Sequence, residues 1–195
     1  MPVFLLAFLV VLLAVGCLFV AYRSDWRGMV TALALFYFVQ FVIVLYSSSP
    51  LMALVDLALG WGSVGIIAFT FLNIKPRLPE QAVAGGVSFR VISSFFFILS
   101  GFALSFTASY WITQLPFLHL AAGIILMLAG VLNLNFYHQP WQVILSILIV
   151  LAGFEIIEYG LENSLLLVLL IGLVKGSLSL ALAFIIRREA GRMTP

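Results

Sequence analysis

A lysine in the middle of an apolar run is the first residue of this sequence that suggests chemistry. Lys175 lies near the centre of the run from Leu165 to Ile186, which is long enough to cross a bilayer. A cation at that depth costs roughly 2.5–3.5 kcal/mol on insertion scales, and such residues usually face a bundle interior and mark an ion or proton path. The preceding apolar run carries a candidate partner, Glu155. The sequence therefore predicts a buried acid–base pair.

The depths of the two residues agree with such a pair. Lys175 lies about ten residues inside one end of its run, or roughly 15 Å, and Glu155 lies roughly 6–9 Å from the same side. The short connection from Gly160 to Ser164 predicts that the two helices are neighbours. The pair can act as a relay that changes protonation state when a neighbouring charge moves, or as a static ion pair that locates two helices. Both interpretations remain open at this point.

Two further carboxylates follow Glu155 on the same helix face. Glu158 and Glu162 come after it at spacings of three and four residues. They form an acidic stripe from the membrane interior to its surface, or they are solvated residues at the end of the helix.

Three other polar residues lie inside apolar runs. Gln40 lies within the second run, Asp56 lies near the start of the third, and His119 lies near the start of the fifth. Asp56 either meets an internal partner or reaches the interface, and His119 is either polar packing or a relay member. We take these three, with Glu158, as further candidate members of a proton or ion path.

The composition indicates an integral membrane protein. Of its 195 residues, 65% are hydrophobic and 8% are charged, whereas a soluble domain carries about 25% charged residues. The single cysteine, Cys17, excludes a disulfide within the chain and a cysteine-based metal site. There is no nucleophile elbow, phosphate-binding glycine loop or metal-ligand cluster, and no basic stripe with interleaved aromatic residues. We therefore expect no cofactor, no metal, no catalytic centre of the chain's own and no nucleic-acid partner.

Seven apolar runs of about 17–24 residues can be marked, each long enough for a spanning helix. None has the alternation of a barrel strand, so the predicted fold is all-α. The first run lacks a positive leading region and is interpreted as an uncleaved helix. The predicted spans are Pro2–Tyr22, Gly28–Tyr46, Leu51–Leu72, Phe89–Ala108, Phe117–Phe136, Trp141–Tyr159 and Leu165–Ile186.

The cations predict the orientation in the membrane. Every Lys and Arg except Lys175 falls in alternate connections between runs. By the positive-inside rule, the N-terminus then lies outside and the C-terminus is cytoplasmic. The cations are Arg23 and Arg27 after the first run, Lys75, Arg77 and Arg90 between the third and fourth, and Arg187, Arg188 and Arg192 after the seventh.

A weak internal repeat divides the chain into three parts. Shifting the sequence by 115 residues brings Tyr22 onto Tyr137, Trp26 onto Trp141, and Gln40 onto Glu155. The first three runs then read as a degenerate copy of the last three, in the same orientation, as in parallel transporter repeats. The predicted parts are an N-terminal three-helix unit over 1–80, a connector helix over 81–114, and a second three-helix unit over 115–195.

Two stretches of the last unit resemble a known family. Val143–Tyr159, which contains Leu151–Ile157, is similar to the second helix of the K-type (4L) subunit of respiratory complex I, which carries a buried Glu in such a context. Leu170–Arg188, which contains Lys175–Leu182, is similar to the third helix of that subunit, which carries a second Glu. The additional N-terminal spans, the length, and the segment Leu72–Glu80 resemble the E component of hydrogenase-4 and formate hydrogenlyase complexes.

The resemblance implies a non-catalytic subunit of a complex I-like membrane arm. Its partners would be the other membrane subunits, including antiporter-like ones, in the cytoplasmic membrane of a bacterium or archaeon, driven by redox chemistry elsewhere in the complex. Glu155 takes the first carboxylate position of the K-type subunit. Lys175 stands where the second acid should be, which is a departure from the pattern. Because antiporter-like subunits of these complexes use buried lysines, the resemblance still permits a Glu–Lys relay.

Two alternatives belong to other functional classes. The chain has the size and low charge of a membrane component of a small-molecule transporter, such as the substrate-binding subunit of a vitamin importer, although its outer connections are short. It is otherwise a purely structural subunit whose polar residues hold helices together. Copurification with hydrogenase-like or antiporter-like subunits would exclude the transporter alternative. Ion translocation measured on variants of Lys175 and Glu155 separates the relay from the structural alternative.

Overall fold

A computed structural model describes residues 3–23, 25–47, 49–74, 86–137, 139–162 and 164–192, without the side chains of Ile74 and of 189–192. Within these ranges the chain forms seven α-helices and no strand. The cations Lys75 and Arg77, and the end of the Leu72–Glu80 segment, lie outside the described residues. The helices are α1 (Val3–Tyr22), α2 (Trp26–Ser47), α3 (Pro50–Ile74), α4 (Val87–Trp111), α5 (Phe117–Phe136), α6 (Pro140–Leu161) and α7 (Leu165–Arg192).

The all-helical, multi-pass character predicted from the sequence is confirmed. All seven helices are long and apolar enough to cross a membrane. The predicted bounds of α5 agree with the structure, whereas α4 and α7 extend beyond their predicted runs. The reason is that each prediction ended at the last apolar residue, while a helix continues as long as its backbone hydrogen bonds are made. Thus α7 continues through Arg187 and Arg188.

Successive helices of such a bundle alternate in direction, so their connections gather at two ends. We call the end with Arg23, Arg27, Arg187 and Arg188 the basic end. We call the opposite end, which holds the α2–α3, α4–α5 and α6–α7 connections and Glu162, the acidic end. The assignment of these ends to the two sides of a membrane stays a prediction.

The interior of the bundle is formed mainly by α2, α5 and α6, which are more buried than the other helices. Helix α5 packs most extensively on α6, and α3 packs extensively on α7. The expectation that the short α6–α7 connection makes these two helices neighbours holds, but the main neighbour of α7 is α3. Helices α1, α2 and α3 each contact the helix four places later, α5, α6 and α7. The proposed repeat itself stays a prediction.

Glycines allow α5 and α6 to approach closely. A Cβ built on Gly153 would lie 2.6 Å from the carbonyl oxygen of Gly123 and 2.6 Å from the amide nitrogen of Met127. Gly130 likewise faces the backbone of α6, where a Cβ would lie 2.8 Å from the carbonyl oxygen of Ser146. Small residues permit such backbone contact between helices in lipid, where packing rather than water exclusion holds helices together.

Three aromatic rings close the interior at the basic end. Trp26 of α2 stacks on Phe71 of α3 with ring centroids 4.9 Å apart. Phe71 meets Trp141 of α6 edge to face at 5.6 Å. Phe71 and Trp141 are buried, so Trp141 packs inside the bundle. We call these three residues the aromatic plug.

We expect Gly153→Ala to destabilise the chain by about 1–3 kcal/mol, because the added methyl group meets backbone atoms of α5 that cannot rotate away. The measurement is unfolding of the full chain in detergent micelles, titrated with a denaturing detergent and followed by circular dichroism. Gly65→Ala on α3 is the matched control, since its Cβ would meet no atom within 4 Å. Equal stability of the two variants would contradict the close α5–α6 contact.

Candidate functional site

Lys175 binds two carboxylates in the interior of the bundle. Its Nζ lies 2.6 Å from Oε2 of Glu155 on α6 and 3.0 Å from Oδ1 of Asp56 on α3. All three side chains are buried, with exposed fractions of 0–2%. The predicted contact between Glu155 and Lys175 is therefore present. Asp56 takes the internal position rather than the interfacial one, and its carboxylate is a second partner that the sequence left open.

Gln40 completes the cluster from a fourth helix. Its Nε2 donates hydrogen bonds to Oδ2 of Asp56 (2.7 Å) and to Oε2 of Glu155 (2.8 Å). A primary amide carries two N–H donors and a carboxylate only accepts, so one nitrogen can join both acids. We call Gln40, Asp56, Glu155 and Lys175 the buried quartet. It ties α2, α3, α6 and α7 together at one level.

The four residues meet because their positions along the helices agree. Gln40, Asp56 and Glu155 each lie six or seven residues from the acidic-end terminus of their helix, about 10 Å at ~1.5 Å per residue. Lys175 lies ten residues into α7, about 15 Å from the same end. Helical side chains lean towards the N-terminus of their own helix. The long Lys175 side chain therefore reaches back towards the acidic end and meets the carboxylates.

An aromatic ring supports the ammonium group. The Nζ of Lys175 lies 4.6 Å from the centroid of the Tyr37 ring, which is close enough for a cation–π contact. Tyr37 is 1% exposed, and Gly60 makes room for its ring, since a Cβ there would lie 2.8 Å from it. Sequence reasoning missed Tyr37. The available signal was its place within an apolar run, three residues before Gln40 and thus on the same helix face.

The charges of the quartet do not balance when every group is ionised. One ammonium and two carboxylates give a net charge of −1, and an unbalanced charge in a low-dielectric interior is costly. A neutral quartet would hold one additional proton. The arrangement can therefore bind and release a single proton while Lys175 stays paired.

Glu158 lies outside the quartet but is not a solvated end residue. It is 7% exposed, and neither of its carboxylate oxygens has a hydrogen-bond partner among the described residues. Glu162, at the end of α6, is exposed. The acidic stripe predicted from the sequence therefore consists of one residue in the quartet, one buried residue without a partner, and one at the surface.

Tyr159 lies next to Glu158 and points into the bundle. It is 1% exposed. Its hydroxyl has no hydrogen-bond partner in the part of the chain that the structure describes. The burial results from the packing of α6 against the other helices, which sequence reasoning did not reveal.

His119 lies in a separate polar site at the acidic end. Its Nε2 is 3.4 Å from the hydroxyl of Ser47, and its side chain is buried. It lines a pocket of about 770 Å³ between the first turn of α1, the end of α2 and the α4–α5 connection. Of the six candidate residues, the structure thus brings four together and leaves Glu158 and His119 outside the quartet.

Within the described ranges no three His, Cys, Asp or Glu residues come together as a set of metal ligands. Comparisons with protein-family models, curated proteins and solved structures found no match to this chain. The chemistry of the site is therefore argued from its own geometry.

We expect Lys175→Met to lower the free energy of unfolding by about 3–5 kcal/mol, since it leaves two buried carboxylates without their cation. Asp56→Asn is the matched comparison, because it leaves the ammonium paired with Glu155 in a neutral cluster. Its loss should be clearly smaller. Detergent-induced unfolding of the full chain measures both. An equal loss in the two variants would mean that charge balance does not govern this site.

Proposed function

We propose that this chain is a non-catalytic membrane subunit of a complex I-related, hydrogenase-4-like assembly that translocates protons or other ions. The observation that carries the proposal is the buried quartet, in which one ammonium group lies between two carboxylates. The chain would contribute this quartet to a charge path shared with antiporter-like subunits, while the redox chemistry resides elsewhere in the complex. Its place would be the cytoplasmic membrane of a bacterium or archaeon.

The free-energy cost of burying the charged groups of the quartet favours a role in charge movement over a purely structural role. Apolar side chains of similar size hold helices together as well as, or better than, a buried ion pair does. Ionisable groups inside a membrane therefore indicate a function by default. A static tether would also have its polar atoms satisfied, whereas Oε1 of Gln40 and Oε1 of Glu155 have no hydrogen-bond partner among the described residues. These free acceptor atoms support an exchangeable proton.

Asp56 supplies a second carboxylate where the K-type pattern has an acid and this chain has Lys175. In that family two buried acids lie on neighbouring helices, and here Lys175 occupies the second position. The second carboxylate nonetheless reaches the same place from α3, 3.0 Å from Lys175. A site with two acids and one amine retains the two-carboxylate chemistry and adds the amine that antiporter-like subunits use. This supports a relay in which Glu155 and Asp56 share the mobile proton.

The charge distribution supports an orientation with the acidic end outside. Arg23, Arg27, Arg187 and Arg188 gather at the opposite end, as the positive-inside rule requires of a cytoplasmic side. The quartet then lies nearer the outer surface than the cytoplasmic one.

One observation favours a second candidate function, that of a transporter component. The pocket beside His119 has a volume of about 770 Å³ and a largely apolar lining, which is within the range of small-molecule sites. The quartet does not line this pocket. A transporter role would therefore leave the most costly feature of the chain without a purpose, and we favour the first proposal.

We expect Glu155→Gln and Lys175→Met each to reduce coupled ion translocation at least about tenfold, because each removes a group that binds or stabilises the shared proton. The assay is acidification of inverted membrane vesicles that contain the whole complex, with assembly checked by native electrophoresis. Glu162→Gln makes the same chemical change on an exposed residue of the same helix and should leave the rate unchanged. Normal translocation in both quartet variants, with intact assembly, would disprove the relay.

We also expect the chain, purified gently from its native membrane, to bring antiporter-like subunits with it in a fixed ratio. The reason is that a quartet buried in a bundle of this size can move charge over long distances only by handing it to a neighbouring subunit. Mass spectrometry of the purified complex identifies such partners. A chain that purifies instead with a nucleotide-binding ATPase would support the transporter alternative.

A further inference from the structure

Only one layer of side chains separates the buried quartet from the acidic end. Tyr159 and three small or branched residues form this layer, about one helical turn beyond the quartet, and all four are at most 1% exposed. We call it the cap layer. Its members are Val44 of α2, Ala53 of α3, Tyr159 of α6 and Val168 of α7. The quartet is therefore closed at this end, but by a barrier one residue thick.

Tyr159 is the polar member of the cap layer. It lies four residues after Glu155, on the same side of α6, and its hydroxyl has no hydrogen-bond partner among the residues described. Glu158, next to it on α6, is also buried, and its two carboxylate oxygens are unpartnered within the same ranges. Residues three and four positions after Glu155 return to its side of the helix. Two unsatisfied polar groups thus continue the line of the quartet towards the surface.

Towards the basic end, the quartet is closed off over a much greater length of the bundle. From Gln40, Asp56 and Glu155 to the aromatic plug there are 14 or 15 residues along each helix, roughly 21–23 Å. Two such groups lie in this stretch: Tyr37, one turn from Gln40 with a hydroxyl that has no partner among the described residues, and Arg27, next to Trp26. Apart from these two, 27–39, 57–70 and 142–154 contain no acidic, basic, tyrosine or cysteine residue, and the facing part of α7, 176–186, contains none. Leu33, Ile67 and Ile149 fill this space and are at most 1% exposed.

The few polar side chains on this side are engaged or isolated. The hydroxyl of Ser146 donates to the carbonyl oxygen of Gln142 on its own helix. Lone polar groups in an apolar interior do not form a continuous proton path, since each transfer needs a neighbour at hydrogen-bonding distance. The region between the quartet and the aromatic plug is therefore a seal.

From this asymmetry we propose that protons exchange between the quartet and bulk water at the acidic end alone, through Glu158 and Tyr159, while the apolar stretch and the aromatic plug seal the basic end against water. The proposal rests on the function proposed above and assigns Tyr159 a role in it. Neither transfer partner is in hydrogen-bonding contact in the structure, so side-chain rotation must first bring each donor to its acceptor. The carboxyl group of Glu158 then gives its proton to the phenolic oxygen of Tyr159, whose own proton passes to a carboxylate of the quartet. Tyr159 is unchanged after the step, and one proton has moved inwards.

The first experiment measures access to water from each side. Single-cysteine variants Glu158→Cys and Gln142→Cys are made in a Cys17→Ala background, and the assembled complex is treated in sealed vesicles of both orientations with a charged, membrane-impermeant thiol reagent. Both positions lie within three residues of an end of α6 and are buried, at 7% and 5% exposed. They differ in which end they face.

The cysteine at position 158 should react from the acidic side at least tenfold faster than the cysteine at 142 reacts from the basic side. Cys17 is buried and is the single cysteine of the chain. The Cys17→Ala parent therefore has no cysteine in this chain, and its labelling gives the background. Reaction of the 142 variant from the basic side at a comparable rate would overturn the one-sided access. An unreactive 158 variant would overturn the path through Glu158.

The second experiment tests whether translocation needs the hydroxyl of Tyr159. Tyr159→Phe keeps the ring and its packing, so the unfolding midpoint should stay the same while translocation falls at least tenfold. Tyr110→Phe removes a hydroxyl from an exposed tyrosine near the same end and should change neither property. Normal translocation in Tyr159→Phe, together with loss in Glu155→Gln, would refute the role of Tyr159 and leave the proposed function standing. Normal translocation in Glu155→Gln would refute the proposed function itself, while the labelling result still reports the sidedness.

Discussion

The contact of one ammonium group with two carboxylates is the interaction on which the rest of this bundle depends. A lysine 0% exposed inside an apolar bundle needs opposite charge at hydrogen-bonding distance, because there is no water to solvate it. Asp56 and Glu155 supply that charge from two different helices. Since both acids must reach the same nitrogen atom, α3, α6 and α7 have little freedom to slide past one another, and Gln40 adds α2 to the same level.

The remaining packing keeps water out of this site and closes its two ends to different depths. The glycines between α5 and α6 bring these two backbones into contact, which leaves no space for lipid or water between them. Three aromatic rings close the far end of α2, α3 and α6. A single turn containing Tyr159 covers the quartet at the near end. The cap layer is one side chain thick, whereas 14 or 15 residues separate the quartet from the aromatic plug, so the quartet lies asymmetrically along the bundle.

The second acid comes from an unexpected helix. The resemblance to K-type subunits placed two carboxylates on neighbouring helices of the last unit, and Lys175 interrupts that pattern. In the structure Asp56 reaches the same point from α3, which is the main neighbour of α7. The first three helices are therefore part of the site and not merely an addition to a K-like core. A buried charge requires a partner of opposite sign, but it does not require that partner to be near in sequence.

The sequence by itself determined the seven spanning helices and the pairing of Lys175 with Glu155. Both follow from counting, because the depth of a residue in an apolar run can be calculated from its distance to the ends of the run. Only the tertiary structure decided that Asp56, Gln40 and Tyr37 join this pair, and that Glu158 and Tyr159 are buried. These outcomes depend on how each helix is rotated and which helix it contacts. In a membrane the lipid-facing and protein-facing sides are both apolar, so the sequence carries little signal for either choice.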